Sequence, residues 1–153
     1  MNTKIQLKIA TPEKLVLQAE VDQVSLPTKK GEITILPNHI PLIAELEFGE
    51  LLAKQGEEDI PFAIWGGVVE IRDNQVIVLA DVAEYAEDIM LEKVEEAKKQ
   101  AQDLMQKKGE FSQEDFADLL FGYEKHLAMA QVAQKFQSKK YRRLKNIKNV
   151  VKE

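Results

Sequence analysis

The spacing of apolar residues changes once along this chain, near residue 85, and no single class of fold accommodates both spacings. Up to about Asp81 the pattern alternates. Ile5, Leu7 and Ile9 are interleaved with Lys4, Gln6 and Lys8, and Ile33 and Ile35 with Glu32 and Thr34. Alternation places one face of a strand in a core and the other in water. After Tyr85 the apolar residues step by three or four, the period of a helix. Turn-forming residues divide the same way. All five prolines (Pro12, Pro27, Pro37, Pro41, Pro61) and five of the seven glycines precede residue 68. The spacing predicts an all-β sandwich or barrel over residues 1–85 and helices over residues 86–153.

Within the front part, Thr11-Pro12, Thr28-Lys29-Lys30-Gly31, Pro37-Asn38, Gly49, Gly56 and Gly66-Gly67 punctuate the chain. Many short strands with turns every ~8–12 residues make a sandwich or barrel. Val68, Val69 and Ile71, a polar connection Arg72-Asp73-Asn74-Gln75, and Val76-Ile77-Val78-Leu79 read as a hairpin.

In the back part, Met90, Val94, Ala97, Ala101 and Leu104 mark one face of a helix from Asp88 to Lys107. Asp88 is its expected N-cap, and Gly109 closes it behind Lys107 and Lys108. A second helix opens with Ser112 as cap, Asp115 at its third position, and Phe111 and Phe116 as a staple. Its apolar stripe is Phe116, Leu119, Leu120, Tyr123, Leu127, Ala130, Ala133 and Phe136, with a possible continuation to Leu144 and Ile147. At about 1.5 Å per residue, roughly 35 residues span about 50 Å. The first helix is half as long, so the last turns of the second need another partner or fray. Gly122 inside it reads first as permitting close packing, and second as a flexing point.

The chemistry that such a chain can perform is limited. Zero cysteines among 153 residues remove disulfides, thiolate metal sites and cysteine nucleophiles. With 44% hydrophobic and 31% charged residues the composition is that of a folded, water-facing domain. No apolar run approaches the ~20 residues of a spanning helix. Met1-Asn2-Thr3-Lys4-Ile5 lacks the apolar stretch of a signal peptide, so a cytoplasmic location is expected. His39 and His126 are the only histidines, and no metal-protease, nucleophile-elbow or phosphate-loop motif occurs. His39 reads as a turn histidine bonded to backbone before it reads as a base or ligand. His126 reads as an exposed or half-exposed surface residue, and Trp65 as core. The acidic runs Glu57-Glu58-Asp59 and Glu95-Glu96 read as solvated surface.

Charge is uneven. Residues 139–153 carry seven basic and one acidic side chain, whereas the rest carries 14 basic and 25 acidic, a net of -11. This is an acidic body with a basic tail. Nucleic-acid binding through the tail fits poorly, because residues 1–83 hold seven basic against 13 acidic side chains and would repel phosphates.

Two stretches carry a resemblance. Gly31-Glu32-Ile33-Thr34-Ile35-Leu36-Pro37-Asn38-His39-Ile40-Pro41-Leu42 is similar to the glycine–acid–apolar–x–apolar–x–Pro–x–His–x–Pro–Leu segment of bacterial F-type ATP synthase epsilon subunits. Gly66-Gly67-Val68-Val69-Glu70-Ile71 and Val76-Ile77-Val78-Leu79-Ala80-Asp81 resemble that family's Gly-Gly-apolar-apolar-Glu and Val-Leu-Ala-Asp strands. The resemblance implies a ten-stranded β-sandwich followed by a C-terminal helical hairpin. It implies a non-catalytic rotor subunit of a proton-translocating synthase, peripheral on the cytoplasmic face of the membrane and touching it only through another subunit. The gamma subunit would bind one surface of the sandwich. A loop bearing Lys30, Gly31, Glu32 and His39 would face the ring of c subunits. The hairpin would be a mobile regulator that extends to the catalytic alpha and beta subunits and blocks hydrolysis. Lys139, Lys140, Arg142, Arg143, Lys145 and Lys148 are the candidate contacts there.

Some members bind ATP through an Ile/Leu-Asp-x-x-Arg-Ala motif at the start of the first helix. The matching positions here read Ile89-Met90-Leu91-Glu92-Lys93-Val94. Met90 replaces the carboxylate and Lys93 the arginine, whose fork of donors lysine lacks. No cofactor and no metal are therefore expected. The competing reading is a free-standing β-sandwich adaptor that uses its helical arm to bind partner proteins.

Overall fold

A computed structural model describes the backbone of residues 3–107 and 109–151, and the side chains of residues 3–107 and 109–139. Ten strands come first: β1 (Ile5–Ala10), β2 (Leu15–Val21), β3 (Gln23–Thr28), β4 (Gly31–Ile35), β5 (Leu42–Glu45), β6 (Gly49–Gln55), β7 (Glu58–Trp65), β8 (Val68–Arg72), β9 (Gln75–Leu79) and β10 (Val82–Tyr85). A single 3-10 turn (Ala86–Asp88) leads to α1 (Leu91–Met105) and α2 (Gln113–Val151).

The strands form two five-stranded sheets, β2-β1-β9-β8-β5 and β10-β7-β6-β3-β4. All pairings are antiparallel except β1 with β9. The expected alternation decides which side chains meet between them. Ile5, Leu7 and Ile9 of the first sheet face a common core with Val24, Leu26, Leu51, Phe62 and Ile64 of the second. Each such side chain, fully buried, contributes about 1.5–3 kcal/mol. Tyr85 ends the last strand against Phe62, ring centroids 4.4 Å apart, and its hydroxyl donates to the Val16 carbonyl at 3.2 Å.

The expected hairpin is present with a tighter turn than the polar run suggests. Strands β8 and β9 extend to Arg72 and from Gln75, and Asp73 and Asn74 alone make the turn with φ 50° and 61°. Asx residues tolerate that left-handed conformation, which a two-residue hairpin needs at both positions. The Asn74 side chain also ties three segments together. Its Oδ1 accepts from Asn38 N at 3.0 Å and its amide donates to the Lys4 carbonyl. Gly67 is obligatory for a different reason: at φ +100°, a Cβ there would lie 2.0 Å from the Leu79 carbonyl oxygen.

The helical part departs from expectation at its start. Asp88 does not cap α1. It lies in the 3-10 turn, Met90 takes the N-cap position without a side-chain bond, and α1 stops at Met105. Burial explains the difference: Ala86 and Ile89 are drawn under the helices, which overrides local capping preference. Ser112 does cap α2, its Oγ accepting from Asp115 N at 3.1 Å. Gly109 takes φ 97° between the two helices.

Helix α2 lies across the outer face of the second sheet, over β7 and β6, and α1 packs on α2. Ala63, whose neighbours Phe62 and Ile64 point into the sandwich, faces outward beneath α2. It joins Ala86, Ile89, Val94, Ala130, Val132 and Ala133 in a second cluster that shares no residue with the sandwich core. The 39 residues of α2 extend over about 58 Å, against about 22 Å for α1.

Candidate functional site

Three surfaces carry the residues singled out above. The first is the β3–β4 turn. Buried Thr28 organises it, donating to the Gly31 carbonyl at 2.6 Å and accepting from Lys30 N at 3.2 Å. Gly31 takes φ 115°, and Lys30, Gly31 and Glu32 are all exposed. Beside them Lys29 pairs with Glu45 at 2.8 Å. That hydrogen bond, and then the charge itself, holds the Glu45 carboxyl below and the Lys29 ammonium above their usual ranges.

His39 is not in this turn. It lies beyond the far end of β4, in the crossover to β5, where its backbone N–H donates to Leu36 O at 3.2 Å and its Nδ1 meets Ile40 O at 2.7 Å. Four steps along β4 separate the ends of the strand by about 13 Å. Lys30, Gly31 and Glu32 thus sit at one end of the sandwich with the β7–β8 glycine turn, and His39 at the other with Asn74. The expectation of one loop holding all four residues is corrected accordingly: a contiguous motif in sequence is divided by the strand that runs through it.

The second surface is the outer face of the first sheet. Register places Val68, Leu79, Ala10 and Leu15 in one cross-strand row, with Val68, Leu79 and Leu15 exposed by 39%, 52% and 53%. Ile43, 73% exposed, belongs to the adjoining row with Glu70, Ile77 and Lys8. Among the described residues neither helix packs on this face, whereas the opposite sheet lies under α2.

The third surface is the seam between arm and sandwich. Trp65 is half-buried against Phe121 of α2 and belongs to this seam, not to the sandwich core expected for it. His126 is half-buried, and its Nδ1 is buried with no hydrogen-bond partner among the described residues, as is Trp65 Nε1. Burial, and then Lys125, push the His126 imidazole below its ordinary pKa of 6.5. Lys135 Nζ contacts Glu50 Oε1 at 2.9 Å, and Gln134 donates to Glu95 of α1 at 3.2 Å. The sequence stripe missed Ala128, Val132 and Lys135, because alanines and one lysine on a helix do not announce a packed face. Of the candidate basic tail, Lys139 is exposed at this seam. The side chains of Lys140, Arg142, Arg143, Lys145 and Lys148 lie outside the described residues.

This division into a two-sheet sandwich and a helical arm matches a known pattern. The family described as "ATP synthase, Delta/Epsilon chain, beta-sandwich domain" matches residues 4–86. A Herpetosiphon aurantiacus protein named ATP synthase epsilon chain is 40% identical over 129 residues, covering 84% of this chain and 93% of that one. The chain belongs to the ATP synthase epsilon family. An epsilon chain of Dehalococcoides mccartyi is 46% identical over 99 residues, 65% of this chain and 71% of its own. A chain in the cryo-EM structure of the Euglena gracilis mitochondrial ATP synthase, comprising OSCP, F1 and c-ring, shares the fold. Its TM-score is 0.72 at 21% identity, over 84% of this chain and 81% of that chain.

The two positions singled out at the start of α1 lie at the surface. Met90 is apolar and 60% exposed, and Lys93 is exposed one turn on. Among the described residues no group of three or more His, Cys, Asp or Glu side chains is placed to hold a metal ion. No described helix is long and apolar enough to cross a membrane.

Proposed function

We propose that this chain is a non-catalytic subunit of the rotor stalk of a proton-translocating F-type ATP synthase, and that its helical arm restrains ATP hydrolysis. The observation that carries this reading is the separation of the two apolar clusters. The sandwich closes its own core, so the arm can leave the second sheet without unfolding the first ten strands. A rigid coupling block with a detachable arm suits a part that must stay attached while it regulates.

Strand direction orients the block. Strand β10 runs from the end bearing Gly66 and Gly67 toward the end bearing His39, so the arm departs in that direction. An arm that reaches the catalytic alpha and beta subunits leaves the opposite end for the c-ring. The exposed Lys30–Gly31–Glu32 turn is therefore the ring-facing element, and its polar character suits headgroup-level loops. His39 lies on the side of gamma and the catalytic head. The uncovered apolar row of Leu15, Leu79 and Val68 is the face for gamma, since exposed apolar patches of this kind mark protein interfaces. Membrane contact is then indirect, through the ring on its cytoplasmic face, and nucleic acid is no partner.

Co-purification tests the reading. Tagged chain should retain purified gamma, and Leu79→Glu should abolish that retention without lowering the melting temperature of the sandwich. Retention unchanged by Leu79→Glu would remove this face as the gamma site. No retention of gamma at all would favour the free-standing adaptor.

A further inference from the structure

Where α2 crosses the sandwich, the only described ion pair between them is not an ordinary surface contact. Glu50 is 17% exposed beneath the helix, and Lys135 reaches it at 2.9 Å. One turn further along α2, Lys139 lines the same cavity of about 270 Å³ as Glu50, with Asp59 and Glu87 on its walls and Leu52, Pro61 and Phe136 between them. Glu50 and Leu52 come from β6, Asp59 and Pro61 from β7, and Glu87 from the 3-10 turn. Three carboxylates from three elements thus line one cavity with Lys139, and one of them, Glu50, pairs with Lys135 a turn earlier on the same helix. A charged group this well covered is costly to leave unpaired.

The apolar part of the seam is small: its helix side offers Ala130, Val132 and Ala133 with Met129 and Phe136 partly buried beside them, and Phe121 against Trp65. Trp65 Nε1 is buried there without a partner among the described residues, and such a group disfavours the packed arrangement. The Lys135–Glu50 contact adds a charge-dependent part to whether the arm stays down.

We propose that the Glu50–Asp59–Glu87 cradle is an intramolecular competitor for Lys135 and Lys139: it holds them while the arm is docked and yields them to an acidic protein surface when the arm is released. The inference rests on the reading of α2 as a detachable arm, and it assigns the sandwich, not the tail alone, as the element that sets the balance. An acidic surface that takes these lysines must outcompete carboxylates already in place. Docking and partner binding are then mutually exclusive, and both weaken as salt shortens the Debye length toward 10 Å and below.

The test uses the isolated full-length chain, with the single tryptophan, Trp65, as the docking probe and poly-L-glutamate as the acidic surface. Glu50→Gln should move Trp65 emission toward that of solvent-exposed indole. It should also raise the affinity for poly-L-glutamate about two- to five-fold, the range expected from an ion pair of this kind. The exchanged pair Glu50→Lys with Lys135→Glu should restore the docked emission. Unchanged emission and affinity in Glu50→Gln would overturn the proposal, as would an exchanged pair as loose as the single variant. The melting transition of the sandwich identifies any variant that merely unfolds, and Asp59→Asn then serves as the second probe, with the same two outcomes. Because no other subunit is present, these results stand apart from the inhibition of hydrolysis. An arm that never restrains ATPase would sink the proposed function and leave the cradle intact.

Discussion

Trp65 on β7 and Phe121 on α2 meet with ring centroids 4.1 Å apart and planes inclined by 63°, so the single tryptophan of the chain stands at the seam between sandwich and arm. An edge-on pair of this kind adds about 0.5–1.5 kcal/mol to its burial. Phe121→Ala should loosen the arm and shift Trp65 emission to longer wavelength. The sandwich, whose core does not include either ring, should melt at an unchanged temperature. A lowered sandwich melting point would show that the two units do not separate.

Acid should loosen the packing around His126 on α2. Burial holds its imidazole below the ordinary pKa of 6.5, with Lys125 contributing repulsion. An arm opened at this position therefore binds the proton more readily than the packed one. The packing is at full strength above pH 6.5 and weakens as the pH falls through the lowered value. The melting temperature of the arm, followed from pH 8 to pH 5, should fall, and His126→Gln should flatten the curve.

Gly122 offers a sharper test of how α2 behaves. A Cβ placed there meets nothing within 4 Å, so close packing does not require the glycine. Gly122→Ala should stabilise the helix by about 1 kcal/mol, read as slower amide hydrogen exchange around residue 122. Faster exchange would mean that the glycine serves a contact after all.

The start of α1 should not hold nucleotide. With Met90 in place of a carboxylate and Lys93 in place of an arginine, calorimetry on the isolated chain should detect no micromolar ATP binding. Heat consistent with micromolar affinity would refute this.

The sandwich was legible because alternation is a strong signal: Ile5, Leu7 and Ile9 are 1%, 1% and 0% exposed, as their spacing demands. The Ser112 cap was legible for the same reason, since one hydroxyl and one backbone donor decide it locally. What escaped was decided at a distance. Asp88 lost its capping role because Ala86 and Ile89 are pulled into the second cluster. The Lys30–Glu32 turn and His39 are neighbours in sequence but occupy opposite ends of β4, which only the crossover to β5 reveals. The face of α2 that lies on the sheet is alanine-rich, and Lys135 on it looks like any solvated lysine until Glu50 is placed beneath. Residues 139–153 stood out by charge, yet the cradle that meets Lys139 is assembled from three segments far apart in the chain.

The central claim is that the arm restrains hydrolysis while the sandwich alone maintains attachment. Its most direct measurement is ATPase activity of a complex reconstituted with purified catalytic, gamma and c subunits, using either the full chain or one truncated after Gly109. Truncation should raise the hydrolysis rate several-fold while gamma remains bound at the same stoichiometry. Equal rates with both chains, gamma bound in each, would contradict the account and leave the arm without a regulatory role.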